Sequence, residues 1–562
     1  MKSKSILITM SIFFLVLLFV FAGISLTKNL NKPTSTVTKE DAVADAARQQ
    51  KKIEVNTAKL VKSPIELSTE DNGASELPDI NTNAVTVKPS TTLYAEIFAT
   101  GEKSGTDKDG WINAVAENFN KSGATVDGQP VSVEIRKVSS GLGYDYIRTG
   151  KYVPDGYTPS NNLYEKMLES SGIQVEEVTD SLISNTPGIL LSNAAYSKIA
   201  EKYGSVNLKS VTTAVAAGEL IVGYTNPYTS GTGLNFLVST LQSYDATNPL
   251  SETATTGFQS FQKNIPYVAV TTQQMSLSAD KGSFDGFVTE YQTFINNKDQ
   301  QTKYKFVPFG YMHNNPLLTT VSTDQTKKNI LKAFADFAKN ADSQKIATDD
   351  GFNASLGYKC ENPDIDGKTL IAAQKLWKEE KDNGKDIIAV FVADNSGSMD
   401  GEPINALKQS MINGMQYINK NNYVGIVTYS NNVTIALPLA KFDMNQQSYF
   451  KGAVENMSAG GSTATYDAII VASNMIETAL KDHPDAKVMM FVLSDGEENG
   501  SCTSFAKIKS DIGGMQIPVY TIGYNANVEA LQKLSDINEA ANINAGTDDV
   551  TYQLKNLFNS NL

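Results

Sequence analysis

The chain has 562 residues, of which 41% are hydrophobic and 19% are charged, and its formal net charge is −13. This length exceeds what one hydrophobic core usually accommodates, so two or three domains are expected. Acidic residues outnumber basic ones, and the chain lacks the excess of positive charge that is typical of nucleic-acid-binding proteins, so nucleic acid is excluded as a partner.

The N-terminus carries an apolar run from Ile6 to Leu26, preceded by Lys2 and Lys4. Its length is sufficient to span a bilayer, and the preceding lysines predict a cytoplasmic N-terminus with the remainder exported. A cleaved signal peptide is the alternative, but no convincing small-x-small site follows the run. Residues 1–27 are therefore interpreted as a transmembrane anchor or signal. This places a single-pass protein in the cell membrane, with its domains on the extracytoplasmic side.

Residues 28–88 are polar and lack a long apolar period. A short helix is predicted over 41–55, and the rest of the segment is typical of a flexible stalk. Alternating strands and helices begin at Thr91 and predict a two-lobed α/β domain over residues 89–358. The predicted strands are 93–98, 131–138, 188–191, 219–224, 267–270, 284–289 and 305–308. Helices are predicted between them, for example over 111–120, 233–242, 329–340 and 343–348.

Polar residues follow several of these strands and open helices. Exposed backbone N–H groups at such helix starts favour an anion or carboxylate. Ordinary helix capping is the competing interpretation, because Ser and Thr are common caps. The candidate ligand-binding residues are Ser139, Ser140, Thr158, Ser160, Asn161, Ser230, Gly231 and Thr232.

Three stretches of this domain carry a family resemblance. They are residues 150–161 (GKYVPDGYTPSN), 226–233 (NPYTSGTG) and 285–290 (DGFVTE), together with the closing Ser343-Gln344 and Gly351-Phe352. With these motifs, residues 90–357 resemble the bacterial extracellular solute-binding proteins. The resemblance implies two lobes that close around a ligand, here a small anionic or carboxylate solute.

A charged connector is predicted over residues 359–385, with one helix over 369–381. In the last domain, residues 386–562, strand and helix patterns alternate along the chain, which predicts a doubly wound α/β sheet. Its predicted strands are 387–393, 423–429, 434–437, 488–493 and 518–522. Its predicted helices are near 404–420, 447–457, 465–482, 503–512, 527–535 and 548–559.

Oxygen-bearing residues follow the strands of this last domain. The groups are Asp394-Asn395-Ser396-Gly397-Ser398, Gly461-Ser462-Thr463 and Ser494-Asp495-Gly496. Ligands bind at the carboxyl edge of such sheets, and a set made only of oxygens suits Mg²⁺ or Mn²⁺ better than zinc or copper. An isolated Asp-x-Ser-x-Ser turn is common, but three such groups in order on strand ends favour a cation site.

These groups resemble the von Willebrand factor A family, whose match covers about 175 residues here. The resemblance implies a Rossmann-like fold and a metal-ion-dependent adhesion site. Carried over residue by residue, Ser396 and Ser398 bind the ion directly, Thr463 binds it directly or through water, and Asp394 and Asp495 neutralise it. Either Ser462 or Thr463 satisfies the pattern, and the spacing to Tyr466-Asp467 favours Thr463. The implied partner is a protein whose acidic residue takes the open coordination position.

The two cysteines, Cys360 and Cys502, are not in a C-x-x-C spacing. In an exported chain they are compatible with a disulfide and equally with two free thiols.

The leading hypothesis is a membrane-anchored, extracytoplasmic binding protein, in which the two-lobed domain binds a solute or acts as a platform. A solute receptor of a transport system is the alternative. An enzyme is not expected, because the chain lacks a Gly-x-Ser-x-Gly elbow, a zinc helix motif and a catalytic Cys/His pair.

Overall fold

The computed structural model describes most of the chain from residue 37 onward. The described residues are 37–65, 74, 77–265, 268–269, 275, 284–382, 384–496, 498–524, 528–537, 542–545, 554, 557–558 and 561–562. None of the helices in these ranges combines the length and hydropathy that crossing a bilayer requires. The apolar run predicted as an anchor, residues 6–26, lies outside the described residues.

Two elements lie within the segment predicted to be a stalk, namely helix α1 (Lys39–Gln50) and strand β1 (Val55–Thr57). Ala42 is fully buried, and a Cβ added to Gly514 would lie 2.7 Å from its Cβ, so α1 packs closely on the last domain. Strand β1 pairs in parallel with residues 433–435 of the same domain. Helix α1 overlaps the short helix predicted over 41–55, whereas the prediction of a flexible stalk is wrong here, because α1 and β1 both pack on the last domain. Because these contacts are made by small side chains and by a strand of three residues, the sequence of this segment shows no long apolar pattern.

The first lobe of the α/β domain begins with strands and helices that alternate up to residue 179. The strands are β2 (Val85–Val87), β3 (Tyr94–Ala99), β4 (Thr125–Val126), β5 (Gln129–Pro130), β6 (Ser132–Lys137), β7 (Gly156–Thr158) and β8 (Val175–Thr179). The helices are α2 (Gly101–Ser104), α3 (Trp111–Lys121), α4 (Ser140–Thr149) and α5 (Leu163–Ser170).

The second lobe follows without interruption. Its strands are β9 (Pro187–Ser192), β10 (Val222–Thr225), β11 (Val268–Ala269), β12 (Gly286–Glu290) and β13 (Tyr304–Pro308). Its helices are α6 (Asn193–Tyr203), α7 (Leu208–Ala216), α8 (Gly231–Tyr244), α9 (Glu252–Gln262), α10 (Tyr291–Asn296) and α11 (Lys298–Lys303).

The chain then returns to the first lobe through β14 (Leu317–Thr320), α12 (Gln325–Ala338) and α13 (Ala341–Asp349). The first-lobe sheet has the strand order β2-β6-β3-β7-β14-β8, and the second-lobe sheet has the order β11-β10-β12-β9-β13. The chain crosses between the sheets twice, and the two crossings pair through an antiparallel bridge between Asn185 and His313. This is the two-lobed α/β architecture that the sequence predicts.

The predicted connector is a helix, α14 (Gly367–Glu380), that packs against the second lobe. Trp377 is fully buried, and its indole N–H donates to the hydroxyl of Tyr224 at 2.6 Å. Lys378 donates in the other direction, to the backbone oxygens of Tyr417 at 2.6 Å and Phe558 at 3.2 Å. On the first lobe, a Cβ added to Gly367 would lie 1.9 Å from the backbone oxygen of Lys166 in α5. The helix therefore contacts both lobes and the last domain.

The last domain is a seven-stranded sheet flanked by helices. Its strands are β15 (Ile387–Asp394), β16 (Tyr423–Tyr429), β17 (Val433–Lys441), β18 (Lys487–Ser494), β19 (Val519–Tyr524) and β20 (Asn542–Ala545). Its helices are α15 (Glu402–Gly414), α16 (Met444–Glu455), α17 (Thr465–Ala479), α18 (Phe505–Met515) and α19 (Val528–Ser535). The strand order is β1-β17-β16-β15-β18-β19-β20, and only the β16–β17 pair is antiparallel. The doubly wound prediction holds, and β1 from the N-terminal segment forms one edge.

A buried acid lies where α1 packs on α18. Asp511 is 1% exposed, and burial, together with the nearby charge of Asp45, raises its pKa to about 6. Asp45 itself is paired with Lys507 and Arg48. The native state thus holds the proton of Asp511 more tightly than the unfolded chain does, so this group costs stability as the pH rises from about 4 to about 6.

Replacing Asp511 by asparagine is expected to raise the melting temperature at pH 7.5, since the amide carries no charge at a buried position. At pH 4.5, where the native carboxyl is mostly protonated, the gain should be much smaller. Thermal unfolding at both pH values measures the difference. Asp485→Asn provides the control, because Asp485 is exposed; equal effects of the two variants would contradict this account.

Candidate functional site

The predicted metal site lies where two central strands of the last domain end side by side. Strands β15 and β18 pair in parallel with Ala393 opposite Leu493, so Asp394 and Ser494 leave the sheet together. The hydroxyl of Ser494 donates to Asp394 Oδ2 at 2.6 Å, and Asp495 follows immediately. The first and third predicted groups therefore meet at one edge of the sheet.

Asp394 is the buried acid of this edge, with 0% exposure. Its Oδ1 accepts the backbone N–H of Ser396 at 2.8 Å, and its Oδ2 accepts the hydroxyl of Tyr429 at 3.3 Å. Burial raises the pKa of Asp394; the hydrogen bonds oppose that shift, and the charge of Asp495 adds to it. No Lys, Arg or His in the described part of the chain forms an ion pair with Asp394. Among the described residues, the buried carboxylate of Asp394 thus has no protein cation as a partner.

The two serines of the first loop lie together. The hydroxyl oxygens of Ser396 and Ser398 are 3.1 Å apart. The N–H of Gly397 donates to the backbone oxygen of Gly461 at 3.0 Å, which draws the first loop against the second. A Cβ added to Gly397 would lie 3.1 Å from that oxygen, so a larger residue would crowd this contact. Because Ser398 is exposed, the edge is open to solvent.

The two neighbouring hydroxyls of the second loop differ in their surroundings. The N–H and the hydroxyl of Ser462 both donate to Asn431 Oδ1, at 2.7 and 2.9 Å. Thr463 is 2% exposed, and its N–H donates to Asn499 Oδ1 at 2.9 Å. Ser462 is thus engaged by Asn431, which favours Thr463 as the metal-facing hydroxyl of this loop.

Sequence reasoning missed the two asparagines that hold this loop. Asn431 follows β16 and Asn499 follows β18, so both leave the sheet at the edge where the predicted groups meet. Position after a strand was the available signal, but asparagine is common in any loop. Asp467 instead accepts the backbone N–H groups of Cys502 and Thr503, both at 2.9 Å, and so fixes the loop after β18.

The residues at this edge fit a hard divalent cation. The set contains two carboxylates and three hydroxyls, and Mg²⁺ and Mn²⁺ prefer oxygen ligands. A bound cation would also compensate the buried negative charge of Asp394, which pairs with no Lys, Arg or His among the residues that the structure describes. Within the described residues there is no cluster of three or more His, Cys, Asp or Glu side chains arranged for a metal. The site therefore depends on hydroxyl groups as well as acids.

The candidate solute-binding residues come together between the lobes, but in two roles. Ser139 and Ser230 cap helices α4 and α8 by accepting the backbone N–H groups of Leu142 at 3.4 Å and Gly233 at 3.1 Å. These two hydroxyls therefore act as helix caps, which is the competing interpretation given above.

Three other candidates, Ser140, Ser160 and Asn161, lie against Gly231 at the contact between the lobes. The Asn161 amide donates to the Gly231 backbone oxygen at 3.2 Å, and the Ser140 and Ser160 hydroxyls are 3.3 Å apart. A Cβ added to Gly231 would lie 2.0 Å from Ser160 Oγ, so the lobes touch at this point. Thr158 is fully buried, and its hydroxyl has no hydrogen-bond partner among the described residues.

Thr232 belongs to a buried charged network between the lobes, which we call the hinge network. It consists of Lys103, Thr232, Glu290, His313 and Asn315. Glu290 accepts the Thr232 hydroxyl at 2.7 Å and lies 2.8 Å from His313 Nδ1, while Lys103 Nζ donates to Asn315 Oδ1 at 2.8 Å. Burial raises the pKa of Glu290, but the hydrogen bond with His313, its charge, the Thr232 hydroxyl and the charge of Lys103 lower it overall. Sequence reasoning missed this network, although His313 is one of only two histidines.

Cys360 and Cys502 are both free thiols, so the disulfide interpretation does not hold in this structure. Cys360 lies before α14, and Cys502 lies in the loop whose backbone Asp467 holds.

Two family models match this chain. The model described as bacterial extracellular solute-binding protein matches residues 104–353, and the von Willebrand factor type A domain matches residues 389–560. The chain therefore contains a solute-binding-protein domain followed by a von Willebrand factor A domain, as the two resemblances in the sequence predict. Domains of the latter family commonly bind a divalent metal ion.

Curated relatives match only through a short region. An uncharacterized protein of Synechocystis sp., sll0103, is 25% identical over 142 residues, which cover 24% of this chain and 31% of that protein. The inter-alpha-trypsin inhibitor heavy chain H3 of Bos taurus is 25% identical over 149 residues, covering 25% of this chain and 16% of that protein. The chain thus spans less than a third of the length of either relative.

Solved structures resemble the domains separately. A von Willebrand factor type A structure from Catenulispora acidiphila is 20% identical, with a TM-score of 0.29, and covers 31% of this chain and 42% of that chain. The sulfate-binding protein SubI from Mycobacterium tuberculosis H37Rv is 14% identical, with a TM-score of 0.34, and covers 47% of this chain and 88% of that chain.

Proposed function

We propose that this chain is a membrane-anchored, extracytoplasmic binding protein that holds Mg²⁺ or Mn²⁺ at the edge of its last domain. Through that ion it binds an acidic group of a protein partner. The two matched domains support a binding or adhesion function outside the cytoplasm. The main support for this proposal is that Asp394, Ser396 and Ser398 lie together beside Asp495. In addition, no protein cation among the described residues pairs with Asp394.

The residues at this edge would contribute to ion binding in two ways. Ser396, Ser398 and Thr463 would supply neutral hydroxyl oxygens, and Asp394 and Asp495 would supply negative charge. The ion would act as an electrostatic anchor with one position left for a carboxylate from outside. No histidine, lysine or cysteine belongs to the three groups, so a base poised for catalysis is lacking there, and we propose a non-enzymatic role.

The two-lobed domain is proposed as a platform, since its lobes touch at Gly231 and Asn161 and share a buried charged network. A solute receptor of a transport system is the second candidate. The match to solute-binding proteins and the unpartnered hydroxyl of Thr158 favour it. The ligand class would then be a small anion or carboxylate, held by hydroxyl and backbone N–H donors between the lobes.

The proposed function predicts a partner that is captured only when the metal is present. Full-length protein extracted in detergent should retain the partner from the source membranes and medium in Mg²⁺ and release it in EDTA. The Ser396→Ala, Ser398→Ala double variant should fail to retain it even in Mg²⁺. Identical protein sets in Mg²⁺ and EDTA, measured by quantitative mass spectrometry, would contradict the proposal.

A further inference from the structure

A short segment crosses the face of the last domain next to the sheet edge that carries Asp394, Ser396 and Ser398, which we call the metal edge. We call residues Ala58–Val61 the strap. At one end the N–H of Ala58 donates to the backbone oxygen of Ile435 at 3.0 Å, which continues the pairing of β1 with β17. Beyond the other end, the N–H of Ser63 donates to the backbone oxygen of Ser448 on helix α16 at 3.1 Å. The strap therefore bridges from the sheet to the helix.

The strap is held close to α16 by a glycine. A Cβ added to Gly452 would lie 2.0 Å from the backbone oxygen of Val61, so only glycine permits this approach. The hydroxyl of Ser448 also donates to the backbone oxygen of Ser63 at 2.7 Å. The strap is thus tied at both ends, although Leu60 is 41% and Val61 is 47% exposed.

A groove of about 230 Å³ lies between the strap, the sheet and α16. Its lining includes Asn395, Ala436, Tyr449, Ala453 and Met457. The volume is below the roughly 300–1,000 Å³ of pockets that enclose whole small-molecule ligands. The groove therefore suits a single side chain better than a complete small molecule.

Asn395 connects this groove to the metal edge. It lies in sequence between Asp394 and Ser396, and its own side chain lines the groove. Its Nδ2 donates to the backbone oxygen of Ser458 at 3.2 Å. Its Oδ1 is buried and accepts no hydrogen bond from the described residues. A buried acceptor without a donor is unfavourable, and an incoming N–H group would satisfy it.

We propose that the groove binds the residue next to the acidic residue with which a protein partner completes the metal coordination. This inference rests on the proposed function. The occupant is an extended acidic peptide segment whose neighbouring residue is apolar and whose backbone N–H donates to Asn395 Oδ1. Leu60 and Val61 provide exposed apolar surface at the rim of the groove.

The local charge favours the same occupant. Lys59 lines the groove, and Lys62 lies beside it, bonded to the neutral side chain of Asn445. Lys451, on the strap side, donates to the backbone oxygen of Pro64 and also pairs with Glu455 at 3.9 Å. The chain as a whole carries a net charge of −13. A cluster of lysines on an acidic protein attracts an acidic segment to this face rather than to the rest of the surface.

A phage-displayed library of heptapeptides with aspartate fixed at the centre tests the inference on the full-length protein. Panning in Mg²⁺ with elution by EDTA should enrich peptides that carry an apolar residue at one fixed position beside the aspartate. Leu60→Gln and Ala453→Phe should each weaken the binding of the selected peptides by at least about tenfold, because the first makes the rim polar and the second fills the groove. The control is Leu356→Gln, at a residue of similar exposure (37%) in the other domain.

The outcomes separate this inference from the proposed function. Metal-dependent peptides without an apolar preference, or with affinities unchanged in Leu60→Gln and Ala453→Phe, would contradict the groove proposal and leave the metal site standing. Failure to enrich any peptide that EDTA releases would contradict the proposed function and the groove proposal with it. Calorimetry should show the same Mg²⁺ affinity in all three variants, and an Mg²⁺ affinity lost in Leu60→Gln would also count against the groove proposal.

Discussion

Replacing Ser396 and Ser398 together by alanine is expected to lower the affinity for Mg²⁺ by at least about 100-fold. Losing groups that only support metal ligands typically costs about 10–100-fold, and these two serines are assigned as ligands themselves. Their hydroxyl oxygens lie 3.1 Å apart, so both are placed to reach one ion. Isothermal titration calorimetry with Mg²⁺ and with Mn²⁺ measures the change.

The adjacent loop provides a matched control. Ser462→Ala removes a hydroxyl of the same kind from the same edge, but that hydroxyl donates to Asn431. Its Mg²⁺ affinity should stay within a few-fold of the unaltered protein. The ligand assignment would be wrong if the double variant bound Mg²⁺ as tightly as Ser462→Ala does.

Replacing Glu290 by alanine is expected to destabilise the two-lobed domain by about 3–5 kcal/mol, or about 10 °C in melting temperature. The substitution leaves His313, which is 1% exposed, without its acid. It also removes one of the two acids near the buried Lys103, whose ion pair with Glu102 remains at 3.6 Å. The pKa of Glu290 is lowered overall, so its contribution is present above about pH 4.5 and is lost as the pH falls further. Differential scanning calorimetry at pH 7 and at pH 3.5 measures both effects.

Glu219→Ala serves as the control for this second prediction. Glu219 is also paired with a lysine, Lys202, but on the protein surface. Exposed ion pairs contribute little to stability, so its melting temperature should hardly change. Similar losses in the two variants would mean that the buried network has no special role.

Much of the last domain was predictable because its strands are long and buried. The strand predicted over 423–429 matches β16 exactly in its bounds, and that predicted over 387–393 is one residue short of β15. Every residue of β15 is buried, so its apolar run is continuous and easily recognised. Polar groups directly after such runs then indicated the metal edge.

Short strands and segments distant in the sequence were not predictable in the same way. Strands β1, β2 and β7 have three residues each, too few to show an alternating pattern. The hinge network joins Lys103, Glu290 and His313 across nearly the whole domain, and nothing in their local sequence signals the contact. Buried charges of this kind follow from tertiary packing, which local patterns do not specify.

The pairing of β1 with β17 makes the solute-binding-protein domain an insertion, because the chain contributes to the last domain both before and after it. If residues 6–26 are the anchor, as the sequence predicts, only residues 27–38 separate them from α1. Twelve residues reach at most about 40 Å even when fully extended. The start of α1 would then lie within about 40 Å of the bilayer, so the last domain would stay near the membrane, where a partner embedded in the same bilayer is easier to reach than one arriving from a distance.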